Sequence, residues 1–280
     1  MALAACVVGF AAVSVYFAYD FTGPARRLSA ARAEQFLPEF EAVRFPARDG
    51  VNLGGWFVPC PGAKQAVVIL HGHGSTRAQG LARAGLLREH GFAVLLYDAR
   101  GHGTSAGELV SFGWFETRDL HGALDWLRAR GFAEFGCIGM SQGGATIALA
   151  AAELRDVRWA VLESVYPTLP NAIDRRFRRT LGVPGWLAGS LMVPIAEHRL
   201  GVTAAQISPR TGIAKLACPV LVMSGELDRQ TLPADAREVF DAAPGPKSWW
   251  IVPGAGHVDL HGFAKRDYET RLLAFLAERR

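Results

Sequence analysis

FGCIGMSQGGATIALAAAEL, residues 135–154, joins an apolar run to a run of small residues through Gly139-Met140-Ser141-Gln142-Gly143. Phe135 to Met140 reads as a strand and Gln142 to Leu154 as a helix. The glycines at 139 and 143 permit a tight turn from one into the other, which lifts the Ser141 hydroxyl clear of the sheet. The start of the helix also directs free backbone N–H groups at that spot. G-x-S-x-G alone is a weak signal; a strand before it and a helix after it make it specific.

The same alternation extends in both directions. Ala66 to Leu70 (AVVIL) and Phe92 to Tyr97 (FAVLLY) are short apolar runs, as expected of parallel strands covered on both faces. A helix from Arg77 to His90 lies between them and stops at Gly91. Phe115 to Arg130 has helical spacing in Leu120, Leu124 and Leu127. Trp159 to Leu162, Pro219 to Met223 and Ser248 to Val252 read as further strands, with helices near Ala234 to Ala243 and Ala264 to Arg279. Upstream, Val43 to Ala47 and Val51 to Val58 flank Asp49-Gly50 as a hairpin. Such an order predicts an α/β fold with a mainly parallel sheet and helices on both faces. It lapses over residues 165–212, where prolines and glycines punctuate amphipathic pieces such as Ile173 to Leu181 and Trp186 to Arg199. That stretch reads as an inserted helical cap, giving one catalytic domain over residues 41–280. With 280 residues, half of them apolar, the chain can bury a full-sized core.

The first 19 residues carry no charged side chain. As a helix they span about 28 Å, close to a bilayer's hydrocarbon thickness. We read them as a membrane anchor, ahead of a cleaved signal or a helix packed on the protein. Residues 20–40 follow as a linker with a short helix between Pro24 and Pro38. Arg26, Arg27 and Arg32 all come after the span, which places the catalytic domain on the cytoplasmic side. The net charge of +4 is spread along the chain. Its densest group, Arg175, Arg176, Arg178 and Arg179, reads as a solvated helix face or a contact for anionic substrates or headgroups. Cys6, Cys60, Cys137 and Cys218 read as core packing rather than disulfides. Neither a nucleic-acid module nor zinc-ligand spacing is present, and no metal or cofactor is expected.

A serine hydroxyl needs a base to take its proton. Of eight histidines, His257 has the right setting. It follows the strand SWWIV and the loop Pro253-Gly254-Ala255-Gly256, at the carboxyl edge of the sheet where open α/β folds place their sites. His261, one turn on, reads as a surface or capping residue. The imidazole needs an acid to hold its tautomer. Asp228, in the loop leaving the strand PVLVM, is the first candidate and Glu163 its rival. His71-Gly72-His73-Gly74 follows AVVIL and can lie beside the turn. The backbone N–H groups of His73 and Gln142 are therefore the candidate oxyanion donors. The side chains of His71 and His73 alternatively do no more than shape that loop.

HGHG (71–74), YDARGHGTSAG (97–107), GMSQGG (139–144), SGELD (224–228) and PGAGH (253–257) fall in the order of the α/β-hydrolases. From about residue 40 onward the chain resembles their small, often N-terminally anchored branch, which includes Bem46-like and ABHD13-like proteins and is similar to the serine aminopeptidase clan. The resemblance implies an eight-stranded sheet, a triad of Ser141, Asp228 and His257, and an oxyanion hole at His73 and Gln142. Asp98 and Arg100 match the branch's D-x-R-G-x-G-x-S loop and are expected to be structural.

The expected activity is hydrolysis of a carboxylic ester through an acyl-enzyme, on a small-molecule or lipid-like substrate. Trp114, Trp186 and Met192, with Phe112, Phe177, Leu187 and Leu191, are candidates for an apolar substrate wall, or else ordinary core. A peptidase on the same triad needs an acidic site for a peptide's amino terminus, for which Glu163 and Glu197 are the candidates. An acyltransferase and a non-catalytic binding protein are the other classes this fold admits.

Overall fold

In the computed structural model, which describes residues 2–26 and 33–277, eight strands form one sheet in the order β1-β2-β4-β3-β5-β6-β7-β8. They are β1 (Glu41–Pro46), β2 (Asn52–Val58), β3 (Gln65–Leu70), β4 (Ala93–Tyr97), β5 (Glu134–Met140), β6 (Val157–Glu163), β7 (Val220–Gly225) and β8 (Lys247–Val252). β1 and β2 pair antiparallel, as do β2 and β4; every other pairing is parallel. The hairpin turns where the sequence places it, with Gly50 at φ 85° and its N–H donated to the Ala47 carbonyl over 2.9 Å.

Alternate residues of the central strands feed two separate cores. Ala66, Val68 and Leu70 of β3 join Ala93, Leu95 and Tyr97 of β4 on one face. Val67, Ile69, Val94 and Leu96 join the opposite core with Trp159 and Met223. Full burial on both faces explains why these strands read as unbroken apolar runs. The covering helices are α2 (Leu81–Glu89), α3 (Glu116–Ala129), α4 (Gln142–Ala150), α9 (Pro233–Ala242) and α11 (Lys265–Ala277), with the short α10 (Leu260–Phe263). The helix expected from Arg77 begins instead as a 3-10 turn, Arg77–Gly80. At Gly80 a Cβ would lie 2.7 Å from both Ile69 and Leu96, so the chain runs against the sheet there.

Between β6 and β7 the chain inserts α5 (Leu169–Leu181), α6 (Gly185–Ala188), α7 (Met192–Leu200) and α8 (Pro209–Ile213). Thr168 caps α5 by accepting the Asn171 N–H, and Gly182 at φ 70° ends it.

The N-terminal expectation is overturned. Among the described residues no helix is long and apolar enough to cross a membrane. The helix α1 (Ala2–Thr22) lies along α7 instead, packing Phe17, Ala18 and Phe21 against Phe177, Met192, Val193 and Ile195. Ser14 and Thr22 are buried in the same face. Without a span, the membrane attachment and the cytoplasmic side inferred from the following arginines both fall; Arg27 and Arg32 lie outside the described residues. In the stretch read as a linker, the Ala25 N–H donates to the Gly101 carbonyl over 2.7 Å, and just before it the Thr22 carbonyl accepts the Val110 N–H over 2.9 Å. Cys137 and Cys218 are buried free thiols and Cys60 is partly buried, while the Cys6 side chain lies outside the described residues.

Gly143 exists for a close approach, since a Cβ there would lie 2.4 Å from the Leu70 carbonyl oxygen. Gly143→Ala is expected to cost at least about 1–3 kcal/mol by forcing α4 away from β3. Urea unfolding measures it, and an unchanged midpoint would contradict the close approach.

Candidate active site

Ser141 ends β5 and caps α4 with φ 51° and ψ −111°. The glycines around it do not carry that conformation; neither Gly139 nor Gly143 has a positive φ. They are small because the strand and helix nearly touch: a Cβ on Gly139 would lie 2.4 Å from the Gly143 carbonyl carbon. The strain falls on the serine itself, whose N–H donates to the Glu163 carbonyl over 2.7 Å. Three non-glycine residues have positive φ among the described residues, namely Phe112, Ser141 and Ser164. All three line the two cavities that meet at Ser141. Strain of this kind persists where the surroundings hold it and gathers at functional sites.

His257 lies 29 residues after Asp228 in sequence, and its Nδ1 is 2.8 Å from Asp228 Oδ2. A carboxylate only accepts, so Nδ1 carries the proton and Nε2 is left free to act as a base. The Asp228 carboxylate is buried and accepts two further bonds at Oδ1, from the N–H groups of Gln230 and Thr231. The loops carrying the two residues are laced together. Leu227 N–H donates to the Ala255 carbonyl, Glu226 N–H to the Val252 carbonyl, and Gly254 N–H to Glu226 Oε2. His257 and Ser141 line the same cavity.

Glu163, the rival acid, is engaged by other partners. Its carboxylate receives Arg83 Nε and Nη2 over 3.0 and 2.7 Å and the Tyr268 hydroxyl over 2.6 Å. Arg83 Nη2 also reaches Asp259 Oδ1 over 2.6 Å, two residues beyond His257. Burial opposes charge on Arg83, but Glu163, Tyr268 and Asp259 outweigh it and raise its pKa well above the ordinary arginine value. Sequence reasoning missed Arg83, which reads there as one more basic residue on a helix. His261, expected at the surface, is buried and lies 3.0 Å from Glu269 Oε1.

In the 71–74 loop the Gly72 and Gly74 N–H groups are taken, by Gln79 Oε1 and by His102 Nε2. The N–H of His73 between them has no backbone acceptor among the described residues, and Gln142 opens α4 with its N–H at the helix start. His71 shapes the loop from inside: Nδ1 contacts the Gly72 carbonyl and Nε2 accepts the Ala99 N–H. Burial, with His102 nearby, holds the His71 pKa down to about 4. The His73 ring stacks on Phe112 at 5.0 Å but stays exposed. Asp98 and Arg100 brace neighbouring loops. Asp98 ties Arg77 and Thr104, and Arg100 pairs with Asp119 and Asp49.

One cavity is mostly apolar, walled by Ala18 and Phe21 of α1 and by Ile173, Phe177, Met192 and Leu200 of the inserted helices. Met192, Phe112 and Phe177 line this cavity. Trp114 does not; it packs behind the wall with Leu169, Val202 and Ile207. Trp186 is 74 % exposed, on a four-residue helix whose Gly185 end is what meets Asp174. Leu187 and Leu191 are exposed too. The α1 side of the wall was invisible in a stretch read as an anchor. The second cavity is polar and holds His257, Asp259, Glu163 and Asp20.

The family model for serine aminopeptidases, S33, matches residues 61–206, which include the 71–74 loop, the serine turn and much of the insertion. The chain belongs to the S33 family. This S33 hydrolase has relatives of similar length. An uncharacterised protein of Mycobacterium tuberculosis is 30% identical over 252 residues, covering 88% of this chain and 82% of that one. The polyketide transferase GrgF of Penicillium is 26% identical over 261 residues, 78% of this chain and 89% of its own. Among solved structures, the Pyrococcus furiosus esterase Pf2001 superposes with a TM-score of 0.77 at 23% identity, covering 93% of this chain and 99% of that one. Fold and family together make the chain an α/β-hydrolase.

The depressed His71 pKa bears on stability. Between pH 6.5 and about 4 the unfolded chain binds a proton on His71 that the folded S33 hydrolase does not. Stability is therefore full above that window and falls on acidification through it. Urea midpoints across the window should drop with pH, with a shallower slope in His71→Gln. Equal slopes in the two proteins would rule out the buried neutral ring.

Proposed function

We propose that the protein is a serine esterase that cleaves a carboxylic ester with an apolar acyl group, through an acyl-enzyme on Ser141. One observation carries the reading: a serine in strained backbone shares a cavity with an imidazole held by a buried aspartate. Ser141 Oγ attacks the carbonyl carbon while His257 Nε2 takes its proton. The N–H groups of His73 and Gln142 receive the oxyanion, a role worth about 2.7–4 kcal/mol of barrier per donor. His257 then protonates the leaving alcohol, and water repeats the sequence to release the acid. Asp228 keeps the ring in the needed tautomer and stabilises its charged form.

The apolar cavity supports an acyl chain of medium length, with Met192, Phe177 and Ile173 around it. The two candidate acids for an aminopeptidase have partners of their own. Both oxygens of Glu163 are engaged, and Glu197 Oε1 accepts the Ala204 N–H over 2.7 Å. This favours the ester over a peptide with a free amino terminus.

A fluorophosphonate probe should label Ser141, and Ser141→Ala should abolish labelling and reduce turnover to a residual about 10³–10⁴ above water. Asp228→Asn should keep the fold and lower kcat by about 10⁴. Nitrophenyl hexanoate beside aminoacyl anilides tests the bond cut, and faster anilide turnover would overturn the ester assignment.

A further inference from the structure

Helix α5 separates its four arginines. Arg175 pairs with Asp235 over 3.1 Å and Arg178 with Asp174 over 2.6 Å. Arg176 makes no ion pair or hydrogen bond among the described residues; its recorded contact is with the Phe21 ring, 5.4 Å from guanidinium carbon to centroid. It stands where the two cavities meet. Five residues line both of them: Phe21, His73, Ser141, Gln230 and Arg176. Arg176 is the one with a permanent charge. Its guanidinium acts electrostatically on the ring of His73, the residue whose backbone N–H is a candidate oxyanion donor.

The surrounding carboxylates do not cancel that charge. Glu163 and Asp259 are committed to Arg83. Asp20, in the polar cavity, attracts Arg176 without forming an ion pair. Burial and the neighbouring Arg179 instead pull the Arg176 pKa below its ordinary value, as expected of a cation short of a counterion.

We propose that Arg176 is an anion-recognition residue, binding a carboxylate or phosphate carried on the alcohol part of the ester while the apolar cavity takes the acyl chain. The inference rests on the esterase reading above and names its substrate class as anionic esters. A guanidinium presents parallel N–H donors that match both anions in two-point geometry. The polar cavity is where the alcohol part must lie, because His257 lies there to protonate it. A purely structural role, holding α5 to α1 through Phe21, predicts no discrimination by substrate charge.

The test uses the full-length protein and two hexanoate esters of matched shape, 4-carboxyphenyl and 4-carbamoylphenyl. In Arg176→Gln the ratio of kcat/KM for the charged over the neutral ester should fall about tenfold, with partial recovery in Arg176→Lys. Raising NaCl from about 0.05 M to about 0.5 M should shrink the wild-type ratio. A ratio unchanged by Arg176→Gln, both here and in the phosphate pair below, would overturn the proposal, whatever happens to the absolute rates. Hexanoylglycerol phosphate against hexanoylglycerol gives the phosphate arm; dependence on Arg176 in either pair supports the inference and its ranking assigns the anion. If the wild type hydrolyses none of these esters, the esterase reading fails, and calorimetry decides separately on anion recognition. With 4-hexanamidobenzoate and its carboxamide as probes, Arg176→Gln should weaken the charged probe's relative affinity about tenfold. Equal relative affinities would sink the inference.

Discussion

A buried guanidinium holds the candidate site together. Arg83 is fully buried in α2, and its planar head joins Glu163 at the end of β6 to Asp259 beside His257. The Glu163 carbonyl accepts the N–H of Ser141, so the elbow and the histidine loop share one support. Tyr268 from α11 closes the arrangement with its hydroxyl on Glu163. A charge this deep is tolerable only when its donors are satisfied, and removing one partner of such a group costs about 3–5 kcal/mol. The sheet beneath the site is held by apolar packing.

Backbone strain and close packing are divided between different residues at the elbow. Gly139 and Gly143 carry ordinary dihedrals and supply thinness, while Ser141 carries the left-handed conformation. A serine in that region costs free energy, which the Glu163 carbonyl and the packing of α4 against β3 offset. The backbone that carries the hydroxyl is thereby held in one place.

Much of the framework was legible because its signals are local. Apolar runs such as AVVIL are buried strands, Asp49-Gly50 is a tight turn, and the serine motif sits where strand gives way to helix. Asp228 and His257 were legible through loop position at strand ends. What the sequence hid depends on partners far along the chain. Arg83 looks like any helical arginine until Glu163 and Asp259 meet it. The stretch ending at Tyr19 is apolar enough to read as a span, yet its buried face belongs to α7, which begins at Met192. Trp186 and Trp114 show the opposite error, since size and apolarity do not say which side of a wall a ring occupies.

The wall that α1 lends to both cavities has a consequence for how the molecule comes into being. Phe21 and His257 border the same hollow, although 236 residues of chain separate them. A ribosome releases the first of these long before the second. During synthesis the early helix has no groove to settle in until the segment from Leu169 to Leu200 follows, and the imidazole arrives later still. Ser141 is thus made on an unfinished sheet, before β7, β8 and the His257 loop that shares its hollow exist.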